Sequence, residues 1–121
     1  MKYEPLSAHE EHLATAIVQS AYAVHSALGP GLLESVYEVC FCHELDKRRI
    51  PYRRQVTVPI VYEGIRLEEA FRLDVLVDEN VICELKAVDE MKQVFTSQLL
   101  TQLKLTGKRL GFLINFNVPL I

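Results

Sequence analysis

The chain has 121 residues, half of them hydrophobic and 24% charged, a balance that excludes a disordered polymer and suits one domain built around one core. Its formal net charge of −3 at pH 7 argues against a broad electrostatic footprint for nucleic acid. No apolar run approaches the length of a membrane span, and the Met1-Lys2-Tyr3-Glu4-Pro5 opening lacks the apolar core of a secretion signal.

In chain order, Ser7 and Glu10 form a capping-box pattern, followed by Leu13, Ile17, Ala21, Val24 and Leu28 at helical spacing, which predicts a first helix over 7–28. Gly29-Pro30-Gly31 stops it. A second helix is expected from about Leu32 to Lys47, with Val36, Val39, Cys40 and Leu45 as its apolar positions. The basic cluster Lys47-Arg48-Arg49, resumed at Arg53-Arg54, reads either as a solvated helix end or as a phosphate-contacting patch. Residues 55–61 are rich in Val, Ile and Thr and predict a strand, with Pro59 marking an edge or irregular position. Tyr62-Glu63-Gly64 supplies a turn before two further strands over 65–77 and 81–88. Val94, Phe95, Leu99 and Leu103 predict a helix over 91–106 ending at Gly107, and residues 110–116 a final strand. The order α-α-β-β-β-α-β, with the last two strands joined through a helix and hence parallel, gives an α/β (α+β) class: a mixed four-stranded sheet flanked by helices, in one domain over 1–121. Cys40, Cys42 and Cys83 are an odd, scattered set in apolar surroundings, so reduced thiols and a cytoplasmic location are expected.

The segments 71–77 and 81–88 carry Asp74 in one arm and Glu84 and Lys86 in the other, among Val, Leu, Ile and Cys. Charges in such a setting need a partner, an ion or a shifted pKa. On a pleated strand Glu84 and Lys86 share one face, and Val81, Cys83, Leu85 and Ala87 the other. A two-residue turn would aim Asp74 and Glu84 at opposite faces. A three-residue loop, Asp78-Glu79-Asn80, sets Asp74 opposite Glu84 and Arg72 opposite Lys86, with Asn80 expected in the left-handed conformation. Two carboxylates facing each other across a ladder repel unless a cation lies between them, and Mg²⁺ is suited to one or two carboxylates plus water and phosphate. Asp74 and Glu84 are therefore candidate metal ligands, and Lys86 a candidate catalytic group for phosphodiester hydrolysis. The competing reading is an ordinary cross-strand ion-pair cluster facing water.

Glu34 falls in the first turn of the second helix, where the helix dipole alone accounts for an acid, or where it joins Tyr37 and Glu38 on a face aimed at the sheet. Gln98 and Gln102 lie one turn apart on the third helix, facing water or, for Gln98, reaching back to the strand carboxylates. The His9-Glu10-Glu11-His12 run fails as a zinc motif because its histidines are at i and i+3 rather than i and i+4. No phosphate loop, nucleophile elbow or paired CxxC is present.

The run Gly31-Leu32-Leu33-Glu34-Ser35-Val36-Tyr37 resembles the motif that names the GxxExxY proteins, a bacterial and archaeal family within the PD-(D/E)xK nucleases. The resemblance continues through Gln55, Tyr62, Gly64, Asp74, Glu84-Leu85-Lys86-Ala87, Gln98-Leu99-Leu100, Thr106-Gly107 and Leu113-Ile114-Asn115-Phe116-Asn117, covering about residue 15 onward. It implies a restriction-endonuclease-like core and a Mg²⁺-dependent nuclease site, with Mn²⁺ as a substitute, acting on DNA. Asp74 and Glu84 then correspond to metal ligands and Lys86 to the catalytic lysine, with Glu34 as the helical acid and Gln98 as the glutamine on the helix after the ExK strand. Gln102 departs from the Tyr usual at that position, and the chain lacks the short basic C-terminal segment common in relatives. The alternative function is a non-catalytic module of the same fold that binds a partner protein or forms a homodimer, and hydrolysis of RNA or a nucleotide is a third expectation.

Overall fold

A computed structural model describes residues 4–120. The helix α1 (Ala8–Leu28) begins at a complete capping box: Ser7 Oγ accepts from the Glu10 N–H at 3.0 Å, and the Glu10 carboxylate accepts from the Ser7 N–H at 2.8 Å. It ends at Gly29, whose φ of 69° turns the chain out of the helix. Helix α2 (Glu34–Lys47) follows, then strands β1 (Tyr52–Tyr62), β2 (Ile65–Val77) and β3 (Val81–Lys86), helix α3 (Gln93–Thr106) and strand β4 (Leu110–Asn115). The sheet order is β1-β2-β3-β4, antiparallel except for the β3–β4 pair, which is parallel as the helical crossover requires.

The sheet is covered on both faces. On one, α1 (Leu13, Ile17, Ala21, Val24) and α2 pack against Val75, Val77, Val81, Cys83 and Leu85. On the other, a smaller cluster of Leu73, Leu76 and Ile82 is covered by Leu99 of α3. The alternation in β3 is the expected one, with the odd-numbered residues all on the α1/α2 side.

Helix α2 is rotated from its expected orientation. Leu45 is buried as expected, but Val36 and Val39 are exposed, Cys40 is only half-buried, and Tyr37, Phe41 and Cys42 are buried in their place. The cause is Tyr37, fully buried and stacked on Phe116 with ring centroids 4.7 Å apart, which turns the i, i+4, i+8 stripe of large side chains toward the sheet.

The β2–β3 loop has the expected three residues, with Val77 paired to Val81. Its left-handed residues are Asp78 (φ 49°) and Glu79 (φ 57°), not Asn80. Asn80 instead closes the turn, donating its N–H to Val77 O at 3.0 Å and its side-chain amide to Asp78 O at 2.6 Å. Asp78 is held by His9 and Glu79 by both nitrogens of an Arg53 fork.

Strand β1 is an edge strand, and its register with β2 shifts between Val58 and Ile60, at Pro59. Beyond that point β1 and β2 form an exposed two-stranded arm. At the opposite edge, Gly111 of β4 lets α3 approach closely: an added Cβ would lie 2.9 Å from Leu99 Cδ1 and 3.3 Å from Ile82 O. Gly111→Ala is expected to destabilise the protein by about 1–3 kcal/mol, read from urea denaturation, because the Ile82 carbonyl in the sheet cannot retreat as a side-chain tip can.

Candidate active site

The backbone ladder between β2 and β3 ends at the Val75–Cys83 pair. Continuing that register puts Asp74 opposite Glu84, where the strands part and side chains take over the hydrogen bonding. The Asp74 N–H donates to Glu84 Oε1 at 3.2 Å, and the Leu85 N–H donates to Asp74 Oδ2 at 2.9 Å. On the other side of β2, pairing with β1 runs from Arg54–Val75 to Val56–Leu73 and skips Gln55, whose φ of 52° is left-handed. The parting of the strands opens a cleft of about 650 Å³ between the β1–β2 arm and α3. Asp74, Glu84, Lys86 and Gln98 all line it, so four of the five expected site residues share one cavity.

Glu84 is only 7% exposed. Burial, and then the adjacent Asp74 charge, push its carboxyl up to about 8, against the pull of Lys86. Asp74 and Glu84 thus lie side by side with one oxygen of each engaged by an N–H of the facing strand. Lys86, half-buried two residues on and on the same strand face, has its Nζ 4.6 Å from the centroid of the Phe95 ring in the first turn of α3. The aromatic face supports the ammonium without neutralising it as a carboxylate would.

Glu34 is the fifth expected residue, and the structure places it at the margin of the cleft rather than in its lining. Its side chain reaches solvent, yet desolvation raises its pKa, opposed by the Lys86 charge and by a hydrogen bond from the Ala87 backbone. The Gly-x-x-Glu-x-x-Tyr run explains how it gets there. Tyr37 Oη donates to Gly29 O at 2.5 Å and accepts from the Leu32 N–H at 3.1 Å, and Asn117 Oδ1 accepts from the Gly31 N–H at 3.0 Å. Asn115 clasps both backbone groups of Val88, and Asn117 also donates to Asp89, so the end of β3 and the loop before α2 are tied to the same short segment.

Several cleft residues were not assigned a role from sequence. Ser97, Thr101 and Gln102 join Gln98 on one side of α3, a polar stripe legible as i, i+1, i+4, i+5 spacing. Arg72 and Gln55 line it from the strands, and nothing in a strand pattern marks Gln55. Gln55 Nε2 donates to Glu38 Oε1 at 2.6 Å, and Arg54 Nη2 lies 2.8 Å from Glu38 Oε2, so the buried Glu38 anchors both. The basic run follows the solvated helix-end reading: Lys47 and Arg48 pair with Glu44, and Arg53 with Glu79.

Among the described residues, no cluster of three His, Cys, Asp or Glu side chains has metal-binding spacing. The Asp74–Glu84 pair nonetheless fits a hard divalent ion, which takes carboxylate oxygens one or two at a time and completes its shell with water or phosphate. The parted strands supply the opening, and the buried Glu84 and half-buried Asp74, which repel each other, supply the negative charge that an ion would offset.

A mixed sheet whose central strands part around two acids and a lysine, with helices on both faces, is a restriction-endonuclease-like architecture. The chain belongs to the PD-(D/E)XK nuclease superfamily, whose family model matches residues 11–121. No curated protein and no solved structure matches the chain. No helix among the described residues is long and apolar enough to cross a membrane.

The raised Glu84 carboxyl carries a stability signature. Between about pH 4.5 and 8 the folded, metal-free protein keeps a proton that the unfolded chain has released. Stability from this group is therefore full below about pH 4.5 and is lost as pH rises toward 8. Urea midpoints measured in EDTA across that window are expected to fall with pH for the wild type, with a flatter profile for Glu84→Gln.

Proposed function

We propose that the chain is a metal-dependent nuclease of the GxxExxY type that hydrolyses DNA phosphodiester bonds. The observation that carries this reading is the buried Glu84 beside Asp74, with Lys86 on the same strand face. A surface ion-pair cluster would not need to bury a carboxylate next to a second one. The non-catalytic alternative leaves that costly arrangement without a purpose.

Asp74 and Glu84 would hold Mg²⁺, or Mn²⁺ in its place, and the bound ion would supply Lewis-acid polarisation of the phosphoryl group and a more acidic water. Lys86 presents an ammonium to the scissile phosphate, where it stabilises the charge that develops on the non-bridging oxygens. Its Phe95 support keeps that ammonium over the cleft instead of in a tight ion pair. Glu34, close enough to respond to Lys86 and held above the usual carboxylate range, orients the attacking water and accepts a proton from it. Gln98 donates its amide N–H to the substrate from α3. Three thiols outside any disulfide, two of them buried, support a reducing cytoplasmic setting, and helices packed on both faces of one sheet support a single domain.

Incubation with plasmid and linear DNA in Mg²⁺ or Mn²⁺ tests the reading. Lys86→Ala is expected to lower the cleavage rate by about 10²–10⁴-fold, and Asp74→Asn to remove metal binding in a calorimetric titration. Equal activity of wild type and Lys86→Ala would defeat the proposal, and tight metal binding without cleavage of any nucleic acid would favour the partner-binding or dimerising module.

A further inference from the structure

We propose that the cleft takes an unpaired strand in preference to a duplex. This inference rests on the nuclease reading and concerns which form of nucleic acid that site accepts.

The first support is the distribution of cations. Duplex binders commonly draw on about 6–10 phosphate contacts from Lys and Arg. In this protein Arg48, Arg53, Arg54, Arg66 and Arg109 each pair with a glutamate of the chain itself. Among the described residues only Arg72 and Lys86 bring positive charge to the cleft lining, and the net charge of the whole chain is −3. The other described lysines and Arg49 lie outside the cleft lining, so a duplex seated on the cleft meets two cations there instead of a track.

The second support is what the walls offer instead. The arm contributes Ile60 and the half-buried ring of Phe71, and α3 contributes Leu105 together with its uncharged hydrogen-bonding stripe. Gln102 Oε1 is buried without any hydrogen-bond partner among the described residues, although its side chain lines the cleft. An orphaned amide is destabilising unless something in use satisfies it. A π-face and an amide oxygen without a partner complement the faces and Watson–Crick edges of bases, which are accessible together only in an unpaired strand. The cleft volume of about 650 Å³ is that of a small-molecule pocket. In this arrangement a base stacks on Phe71, its edge meets Gln102, and the adjoining phosphate reaches Lys86 and the ion that Asp74 and Glu84 would hold.

The test is fluorescence anisotropy of a labelled single-stranded oligonucleotide and of the blunt duplex of the same sequence, with the full chain in Ca²⁺ at several KCl concentrations, together with cleavage rates on both in Mg²⁺. The single strand is expected to bind at least about tenfold more tightly, with a log–log salt slope near about −1.4, as about two phosphate contacts to a single strand give. Phe71→Leu preserves an apolar side chain in the packing and is expected to weaken single-strand binding about tenfold, while Phe71→Tyr restores it, because only an aromatic ring stacks. Equal or tighter duplex binding, a slope corresponding to six or more phosphates, or wild-type affinity in Phe71→Leu would overturn the inference. If duplex is cleaved as fast as single strand and Lys86→Ala abolishes both activities, the inference falls and the nuclease reading stands. If Lys86→Ala cleaves as well as wild type, the nuclease reading falls and the inference with it.

Discussion

Two carboxylates side by side at the point where β2 and β3 separate are the constraint on which the rest of the site depends. Asp74 and Glu84 cannot both be ionised there without strong mutual repulsion, and Glu84 is almost wholly removed from water. The fold tolerates them because each takes a backbone N–H from the facing strand, replacing ladder hydrogen bonds that the divergence of the strands has broken. The divergence and the acids are thus one feature. Closing the strands would restore the ladder and leave no cleft, and removing the acids would take these partners from the Asp74 and Leu85 N–H groups.

The surrounding elements hold this opening in place. β1 skips a pairing at Gln55, next to Asp74, and Glu38 of α2 grips both Gln55 and Arg54, so the helix layer braces the strand where it departs from regular geometry. Gly111 brings α3 down onto β4, which places Phe95 beneath Lys86 and the polar stripe of α3 along the cleft wall. The stacked pair Tyr37 and Phe116, with Asn115 and Asn117, joins the loop before α2 to the end of β3 and so fixes the position of Glu34. Together these contacts convert a break in a sheet into a defined cavity.

The arginines show the same economy of purpose. Most are tied to glutamates, and the pairs of Arg53 and Arg66 are exposed ion pairs that contribute little to stability. Their effect is to withdraw positive charge from solution, leaving the cleft's own Arg72 and Lys86 as its cationic groups. A small acidic protein can in this way keep a site for an anionic substrate without a general affinity for polyanions.

Element order, strand direction and the facing of Asp74 and Glu84 were legible in the sequence because they follow from local rules: the capping box at Ser7, the glycines after α1 and α3, period-two alternation in β3, and a loop length that sets register. Even the Asp78-Glu79-Asn80 loop was readable in length, though not in which residue is left-handed, since His9 and Arg53 reach in from distant parts of the chain to hold Asp78 and Glu79. Tertiary packing decided the rest. Which face of α2 is buried depends on Phe116, some 80 residues away, and the left-handed Gln55 depends on Glu38 and the parted strands. The pattern along a chain specifies what each segment prefers by itself, whereas rotation of a helix, a break in a ladder and the lining of a cleft are settled by side chains that only the fold brings within reach of one another.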